Sequence, residues 1–504
     1  MNEWAELGRT FAAMAASDSM SDCTEVREDG TWLAGFCASR CDLRCQGNNA
    51  IVHLWSDGRT LTRRVVGVKE QSENRIVLEV QRFGRSKPGL LEFARKEAAR
   101  PVARVTREEF RARLRRILSE LFPDARIDFL SASPDLEHSF SGLYVRGKMQ
   151  EAGRTWALLA IPPGESSASI EASLAFGILW LDWCRNRSSA SRNPIEGLRL
   201  FAPEGVSLRL RERALALSPA ARTEVFEFVE SEEKMRRTDP ADVGNLESWL
   251  APRSEMESIL AAARESAARF RSMLPQTPSS NRAISQLVLP GGLGAAFSYW
   301  GLEFARWSAE GLSFGLGNSS RPLSPAAEPT LDRLIARLEL HRSPVASETS
   351  HSLYRKAAES WLETLILEDP TKLDAQLDPR CLYSQVPAVA AGDRGVLDLL
   401  GITRRGRLVV IELKASEDIQ LPLQAVDYWL RVRRHQRQGD FQQFGYFNEI
   451  EIDPRPPLLW LVAPLLHFHS TTEILLKHLS PEIQVSRVGL NENWRRGIRV
   501  VSRQ

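Results

Sequence analysis

The sequence predicts an α/β protein in which one α/β unit occurs twice, behind a smaller β-rich segment. Over residues 106–230, apolar strand-like runs alternate with amphipathic helical stretches, the pattern of helices layered on a mixed sheet. The same order of elements returns over 351–504, down to the matching phrases Gly197-Leu-Arg-Leu-Phe-Ala-Pro203 and Leu458-Leu-Trp-Leu-Val-Ala-Pro464. The length of 504 residues also exceeds what one core needs, so two or three domains are expected.

Residues 1–30 read as a leader and 31–105 as the β-rich segment, where Ala50-Ile-Val-His-Leu-Trp55 and Arg75-Ile-Val-Leu-Glu-Val80 alternate as strands do. Cys37, Cys41 and Cys45, four apart with Cys23 upstream, would share one face of a helix. Structural zinc sites mostly use closer pairs split by a longer insert, so small buried or half-exposed cysteines are the favoured reading. Thr106 then caps a helix, with Glu109 three residues on. Strands follow at Ala125–Ser131, Gly142–Lys148 and Thr155–Ile161, then a helix at Ser169–Arg185, a strand at Gly197–Pro203, a helix at Ser207–Leu217 and a strand at Glu224–Val229. Residues 231–350 read as a connector with a charged helix (Glu247–Met273), a hairpin about Ser308-Ala-Glu310 and a helix near Thr330–His341. In the last block a helix (Leu353–Leu367) precedes strands at Leu382–Val389, Gly395–Thr403 and Leu408–Lys414. A helix (Leu421–His435), a strand (Leu458–Pro464), a helix (Thr471–Leu479) and a strand (Ile483–Val488) complete it.

Composition narrows the function. With 66 basic against 64 acidic residues and a formal charge of +2, the molecule is no polycation, so any nucleic-acid contact comes from a local basic patch. Six cysteines in no regular framework fit a reducing cytoplasm. The longest apolar stretch, Ala172–Trp183, is too short for a membrane span and carries Asp182. Met1–Met20 has no basic-then-apolar signal pattern, so a cytoplasmic location is expected.

The chemistry concentrates in the last block. Asp398 interrupts the apolar run Gly395-Val-Leu-Asp-Leu-Leu-Gly401, and Glu412 and Lys414 end the buried-type strand Leu408-Val-Val-Ile-Glu-Leu-Lys414. Residues two apart on a strand point to one side, and a turn at Arg404-Arg-Gly406 would bring Asp398 beside them. Two carboxylates so placed suit a hard divalent cation such as Mg²⁺, and a lysine beside them can orient a metal-bound water or stabilise charge on phosphate. On the next helix, Gln424 and Tyr428 lie one turn apart.

Asp398, Glu412-x-Lys414 and Gln424-Ala-Val-Asp-Tyr428, in that order, resemble the PD-(D/E)XK nuclease superfamily, and its RecB-type branch in particular, which carries a Gln-x-x-x-Tyr motif at this point. Arg407-Leu-Val-Val-Ile-Glu-Leu-Lys414 is similar to NucS-like nuclease domains. The resemblance covers roughly 351–504 and implies a restriction-endonuclease-like core that hydrolyses phosphodiester bonds in DNA or, less often, RNA, in repair, restriction or defence. It implies that Asp398, Glu412 and the carbonyl of Leu413 hold Mg²⁺ or Mn²⁺, that Lys414 activates water, and that a carboxylate on the first helix assists. Glu359 is favoured over Glu363 by analogy with the Glu-x-x-Leu pattern. Leu397 stands where the superfamily name has proline.

Arg404 and Arg405 in the turn, with Arg431, Arg433 and Arg434 at the end of the helix, are the candidate phosphate contacts. The alternative for them is an ordinary solvated surface. A homodimer or an accessory chain is compatible with the sequence. Aligning the two blocks puts Tyr144, Ala160 and Pro162 at the positions of Asp398, Glu412 and Lys414, and Glu171 and Ala175 at those of Gln424 and Tyr428, which makes 106–230 a degenerate copy. A non-cleaving nucleic-acid-binding or scaffold protein and an RNA endonuclease are the rival functions. His467-Phe-His469 offers two imidazoles on one strand face but no third ligand. No phosphate loop and no nucleophile elbow occurs.

Overall fold

The computed structural model describes residues 24–28, 31–36, 41–46, 49–56, 59–71, 75–81, 88–95 and 107–504, the last range less 136–137, 139, 164, 166, 189–193, 205–206, 230–233, 240–247, 275–282, 290–293, 318, 391–392 and 448–449. The chain is mixed α/β and divides into two compact units. One comprises 1–244 with 418–423 and 469–481; the other comprises 245–417, 424–468 and 482–504.

In the first unit, the β-rich segment is a sheet of seven strands: β1 (Thr24–Glu28), β2 (Thr31–Phe36), β3 (Cys41–Gln46), β4 (Asn49–Ser56), β5 (Arg59–Gln71), β6 (Arg75–Gln81) and β7 (Gly89–Arg95). Every pairing in it is antiparallel. Cys41 and Cys45 are therefore on a strand, not on the helix that would have aligned the thiols; Cys23 and Cys37 lie outside the described residues. After helix α1 (Arg107–Leu121), a second sheet runs β8 (Arg126–Ser131), β9 (Val145–Glu151), β10 (Arg154–Ala160), β11 (Ile195–Pro203), β12 (Thr223–Val229) and β13 (Lys234–Arg237), in spatial order of sequence. Helix α2 (Ser167–Ser188) carries the chain from β10 to the parallel β11, and α3 (Ser207–Leu215) from β11 to the parallel β12. Phe110, Leu114 and Leu118 of α1, recurring at helical spacing, pack on Val145, Trp156, Phe201 and Phe226 of the sheet.

The second unit holds more elements. β14 (Ser248–Leu250), α4 (Arg253–Ala262) and α5 (Arg264–Ser272) replace the single charged helix expected over Glu247–Met273, the helical run breaking at Ala263. An antiparallel meander follows: β15 (Ile284–Val288), β16 (Ala295–Tyr299), β17 (Leu302–Ser308), β18 (Gly311–Phe314) and the short β19 (Arg321–Pro322). The β17–β18 hairpin is the one legible in the sequence. Helix α6 (Glu328–Arg342) leads to a single turn, Ser352–Arg355, and then to α7 (Ala358–Glu368). The main sheet is β14-β20-β21-β22-β23-β24-β25, with β20 at Leu377–Ala390, β21 at Asp393–Thr403, β22 at Leu408–Leu413, β23 at Leu458–Pro464, β24 at Gln484–Leu490 and β25 at Val500–Arg503. α8 (Leu421–Gln438) joins β22 to the parallel β23, and α9 (Thr472–Lys477) joins β23 to the parallel β24. All six residues of β22 are buried, which is why it reads as a continuous apolar run rather than an alternating one.

The expected helix Leu353–Leu367 is broken at Ala357, whose backbone is left-handed with φ 48°. The break is held by Arg342, a fully buried guanidinium at the end of α6. It donates to the carbonyls of Leu353 (2.6 Å), Lys356 (2.5 Å) and Ala357 (3.1 Å) and, across the meander, to those of Tyr299 (3.0 Å) and Trp300 (2.7 Å). Beside it the Trp300-Gly301 turn, with φ 46° and 76°, lies against α7 so closely that a Cβ on Gly301 would sit 2.2 Å from Ser360. The residues expected to be a connector are thus packed into one core with α7 and the main sheet: Phe297, Phe304 and Leu338 belong to the same apolar cluster as Trp361, Ile411 and Trp460.

Candidate functional site

β21 and β22 pair from Ile402↔Leu408 to Leu399↔Ile411. Beyond that point the N–H of Leu413 donates to Oδ2 of Asp398 at 2.8 Å, so the carboxyl takes the hydrogen bond that a further rung of the ladder would have used. Glu412 is 2% exposed, and its Oε1 lies 3.4 Å from the Lys414 ammonium, whose side chain is 14% exposed. The main-chain N–H of Lys414 is fixed by the carbonyl of Val462 at 3.0 Å. The turn expected at Arg404-Arg-Gly406 is present, so the three polar residues come together at one end of the strands as the spacing implied.

The electrostatics of the group are strained. Burial raises the Asp398 carboxyl from its usual 3.8 to about 6, against the opposing pull of the Leu413 N–H and the Lys414 charge. Burial raises Glu412 well above its ordinary range, and the neighbouring Asp398 charge adds to the effect while Lys414 opposes it. The Glu359 charge, from the first turn of α7, pushes both carboxyls up further. Glu359 is thus the helix carboxylate that Asp398 and Glu412 feel; Glu363, the other candidate, is buried one turn on.

Tyr428 is held in its neutral form, first by burial and then by the charges of Glu412 and Asp398. Gln424 presents an amide Oε1 that is buried without a hydrogen-bond partner, and Glu412 Oε2 is buried without one as well. A buried acceptor oxygen without a partner is costly unless a donor or a cation completes it. The donors are all hard oxygens, the set that suits Mg²⁺ or Mn²⁺. Among the described residues no three or more His, Cys, Asp and Glu side chains gather into a group that could hold a metal ion, so a cation here would rest on the Asp398–Glu412 pair, main-chain carbonyls and water.

The arginines separate into two places. The guanidinium of Arg431 lies 5.8 Å from the centre of the Tyr428 ring. Arg433 faces the other way, donating to the carbonyl of Pro454 at 2.9 Å and pairing with Glu482 at 3.4 Å; Arg434 follows it on the helix. Arg404 and Arg405 sit at the turn, about 20 Å from Asp398 along an extended strand at ~3.3 Å per residue. There they line an open cleft of about 690 Å³ with Arg380, Asp378 and Asp453. They are remote from the carboxyls rather than gathered round them. Of the two other imidazoles noticed in the sequence, His467 ends a short 3₁₀ turn and His469 lies beyond it, so they do not share a strand face. No sequence signal pointed to Arg342 or to the unsatisfied Glu412 oxygen, because both follow from tertiary burial.

No family model matches the chain, and no curated protein matches it.

Proposed function

We propose that the second unit is a divalent-metal-dependent nuclease acting on DNA. The observation that carries the reading is a charge imbalance. Three acidic side chains stand against one cation: the Glu359 and Lys414 charges both act on Asp398 and Glu412, and one buried carboxylate oxygen has no partner. A structural ion pair would balance; here the acids outnumber the cation, and a bound divalent cation would replace the protons that burial otherwise forces onto Asp398 and Glu412.

Asp398 and Glu412 would hold the cation with the carbonyl of Leu413, and Glu359 would add its charge from the first turn of α7. Bound there, it would polarise a phosphodiester and lower the pKa of a water. Lys414, tethered by Glu412 and by the main-chain bond to Val462, holds its ammonium where it can position that water or offset charge on the phosphate. Tyr428, kept as a neutral phenol, and the Gln424 amide are hydrogen-bonding groups for water or a phosphate oxygen. Arg431, beside the Tyr428 ring, adds positive charge on the same helix.

The test is incubation of the purified chain with labelled duplex DNA, single-stranded DNA and RNA, with Mg²⁺ or with EDTA, beside Lys414→Ala. Mg²⁺-dependent cleavage lost in the variant is expected. Cleavage of RNA alone would make the protein an RNA endonuclease. Cleavage of no polymer, with binding retained, would make it a nucleic-acid-binding scaffold.

A further inference from the structure

We infer that the sheet of β8–β13 is a second copy of the fold that carries the candidate site, and that its metal positions have been closed, so that among the described residues divalent-cation uptake passes through the second unit. The inference rests on the nuclease reading of Asp398 and Glu412.

The two sheets agree strand for strand. β8, β9 and β10 are successively antiparallel, β11 and β12 are parallel to β10, and β13 is antiparallel. β20 to β25 repeat that sequence of directions. A helix precedes each first strand (α1, α7), a helix fills each third-to-fourth crossover (α2, α8), and another fills each fourth-to-fifth (α3, α9).

Backbone register then identifies equivalent residues. The N–H of Ile161 donates to the carbonyl of Phe201 at 2.8 Å, as that of Lys414 donates to Val462 at 3.0 Å, and the next two residues are Ala-Pro in both, Ala202-Pro203 and Ala463-Pro464. Ile161 therefore stands at the Lys414 position and Leu159 at the Glu412 position. Leu158 pairs with Gly147 as Ile411 pairs with Leu399, which sets Arg146 at the Asp398 position. The sequence alignment that placed Tyr144, Ala160 and Pro162 there is out of register. On the third strand it slips by one residue, which turns every side chain to the other face.

Three physical features close the site. Leu159 and Ile161 are aliphatic and essentially unexposed, so the acid and the ammonium are replaced by core. β9 and β10 remain paired out to Val145↔Ala160, two rungs past the point where β21 and β22 part to admit the Asp398 carboxyl. Arg146, 6% exposed, supplies positive charge where a metal ligand would need negative. Its guanidinium donates to the carbonyls of Ser133 (2.7 Å) and Ser141 (3.2 Å), drawing the β8–β9 connection across the strand ends. A cation entering there would meet a guanidinium and two aliphatic side chains.

Mn²⁺ titrated into the full-length protein, followed by the loss of the free-ion paramagnetic resonance signal, tests this. Every site seen in the wild type is expected to weaken at least tenfold in Glu412→Gln. Asp398→Asn serves as the second variant, and circular dichroism shows that each is folded. A site that keeps its wild-type affinity in both folded variants would overturn the inference while leaving the second unit's centre standing. A wild-type chain that takes up no Mn²⁺ would overturn that centre, and with it the inference.

Discussion

The carboxylate of Asp398 accepts the Leu413 N–H at 2.8 Å, and so stands in for a missing rung between β21 and β22. The bond needs only an acceptor oxygen, whereas the proposed metal needs a charge. Asp398→Asn is expected to keep the fold, with a melting midpoint within a few degrees of wild type, and to lose at least ~100-fold in Mg²⁺-dependent cleavage. Equal cleavage in the folded variant would remove Asp398 from the chemistry.

Stability without metal should depend on pH in an uncommon direction. Asp398 titrates at about 6 in the folded chain against an ordinary 3.8, so the native state holds its proton more tightly than the unfolded state. That contribution is complete below the ordinary value and is lost as pH rises through about 6; the raised Glu412 extends the loss upward. Thermal melts in EDTA from pH 4.5 to 8 should show a slope that Asp398→Asn reduces. Mg²⁺ should restore more stability at pH 8 than at pH 5, since protons compete with it. A Mg²⁺ effect that grows as pH falls would contradict the sign.

The two acids of α7 should separate cleanly. Glu359→Gln removes a charge felt by both buried carboxyls, and is expected to lower metal affinity several-fold and cleavage at least ~10-fold. Glu363→Gln should leave metal affinity within about twofold. Metal titration of the two variants checks this; the reverse ranking would transfer the role to Glu363.

Tyr428 and Gln424 differ in what they lose. Tyr428→Phe keeps the buried ring and discards only the hydroxyl, so a fall in cleavage with unchanged melting would place that hydroxyl at substrate. Gln424→Leu removes a buried acceptor that has no partner, and is expected to raise the melting midpoint of the metal-free protein by about 2 °C or more, while weakening Mn²⁺ binding. A lower midpoint would mean that the amide is satisfied in the native state.

Gly406 turns β21 into β22 with φ 82°, and a Cβ there would lie 2.1 Å from the carbonyl of Glu451. Gly406→Ala should therefore destabilise the chain by about 1–3 kcal/mol, measured by denaturant melting. The turn is remote from Asp398, so cleavage per folded molecule should hold. A selective loss of cleavage would show that the turn positions the site.

Much of the last block was readable because local rules and tertiary structure agree there. A fully apolar strand interrupted by Glu412, a glycine turn, and a helix beginning near Leu421 all survive in the structure. Readings failed where burial or backbone geometry decided the outcome. The helix through Ala357 has good local periodicity, yet it is broken because Arg342 gathers the carbonyls that a continuous helix would have used. The cysteines at 41 and 45 fit a helix by spacing alone, but the surrounding alternation is that of a strand. Arg404 and Arg405 looked close to the site in the sequence and are distant in space, because a hairpin turn lies opposite to the open end of its strands. The slip in aligning residues 106–230 with 351–504 has the same origin: apolar strands of similar composition do not reveal which face looks inward until a hydrogen-bond register is known.

The guanidinium of Arg342 has a bearing on how this protein can be dissected. Its five acceptors come from the meander and from the run leading into α7, so a fragment starting at residue 351 would lack the donor that closes the Ala357 bend. It would also expose the face of Trp361 on which that guanidinium rests, 4.8 Å from the ring centre. The helix bearing Glu359 would enter from an unsupported bend. The smallest autonomous piece with the acidic cluster intact therefore has to begin upstream of the meander, a boundary that motif position alone would never suggest.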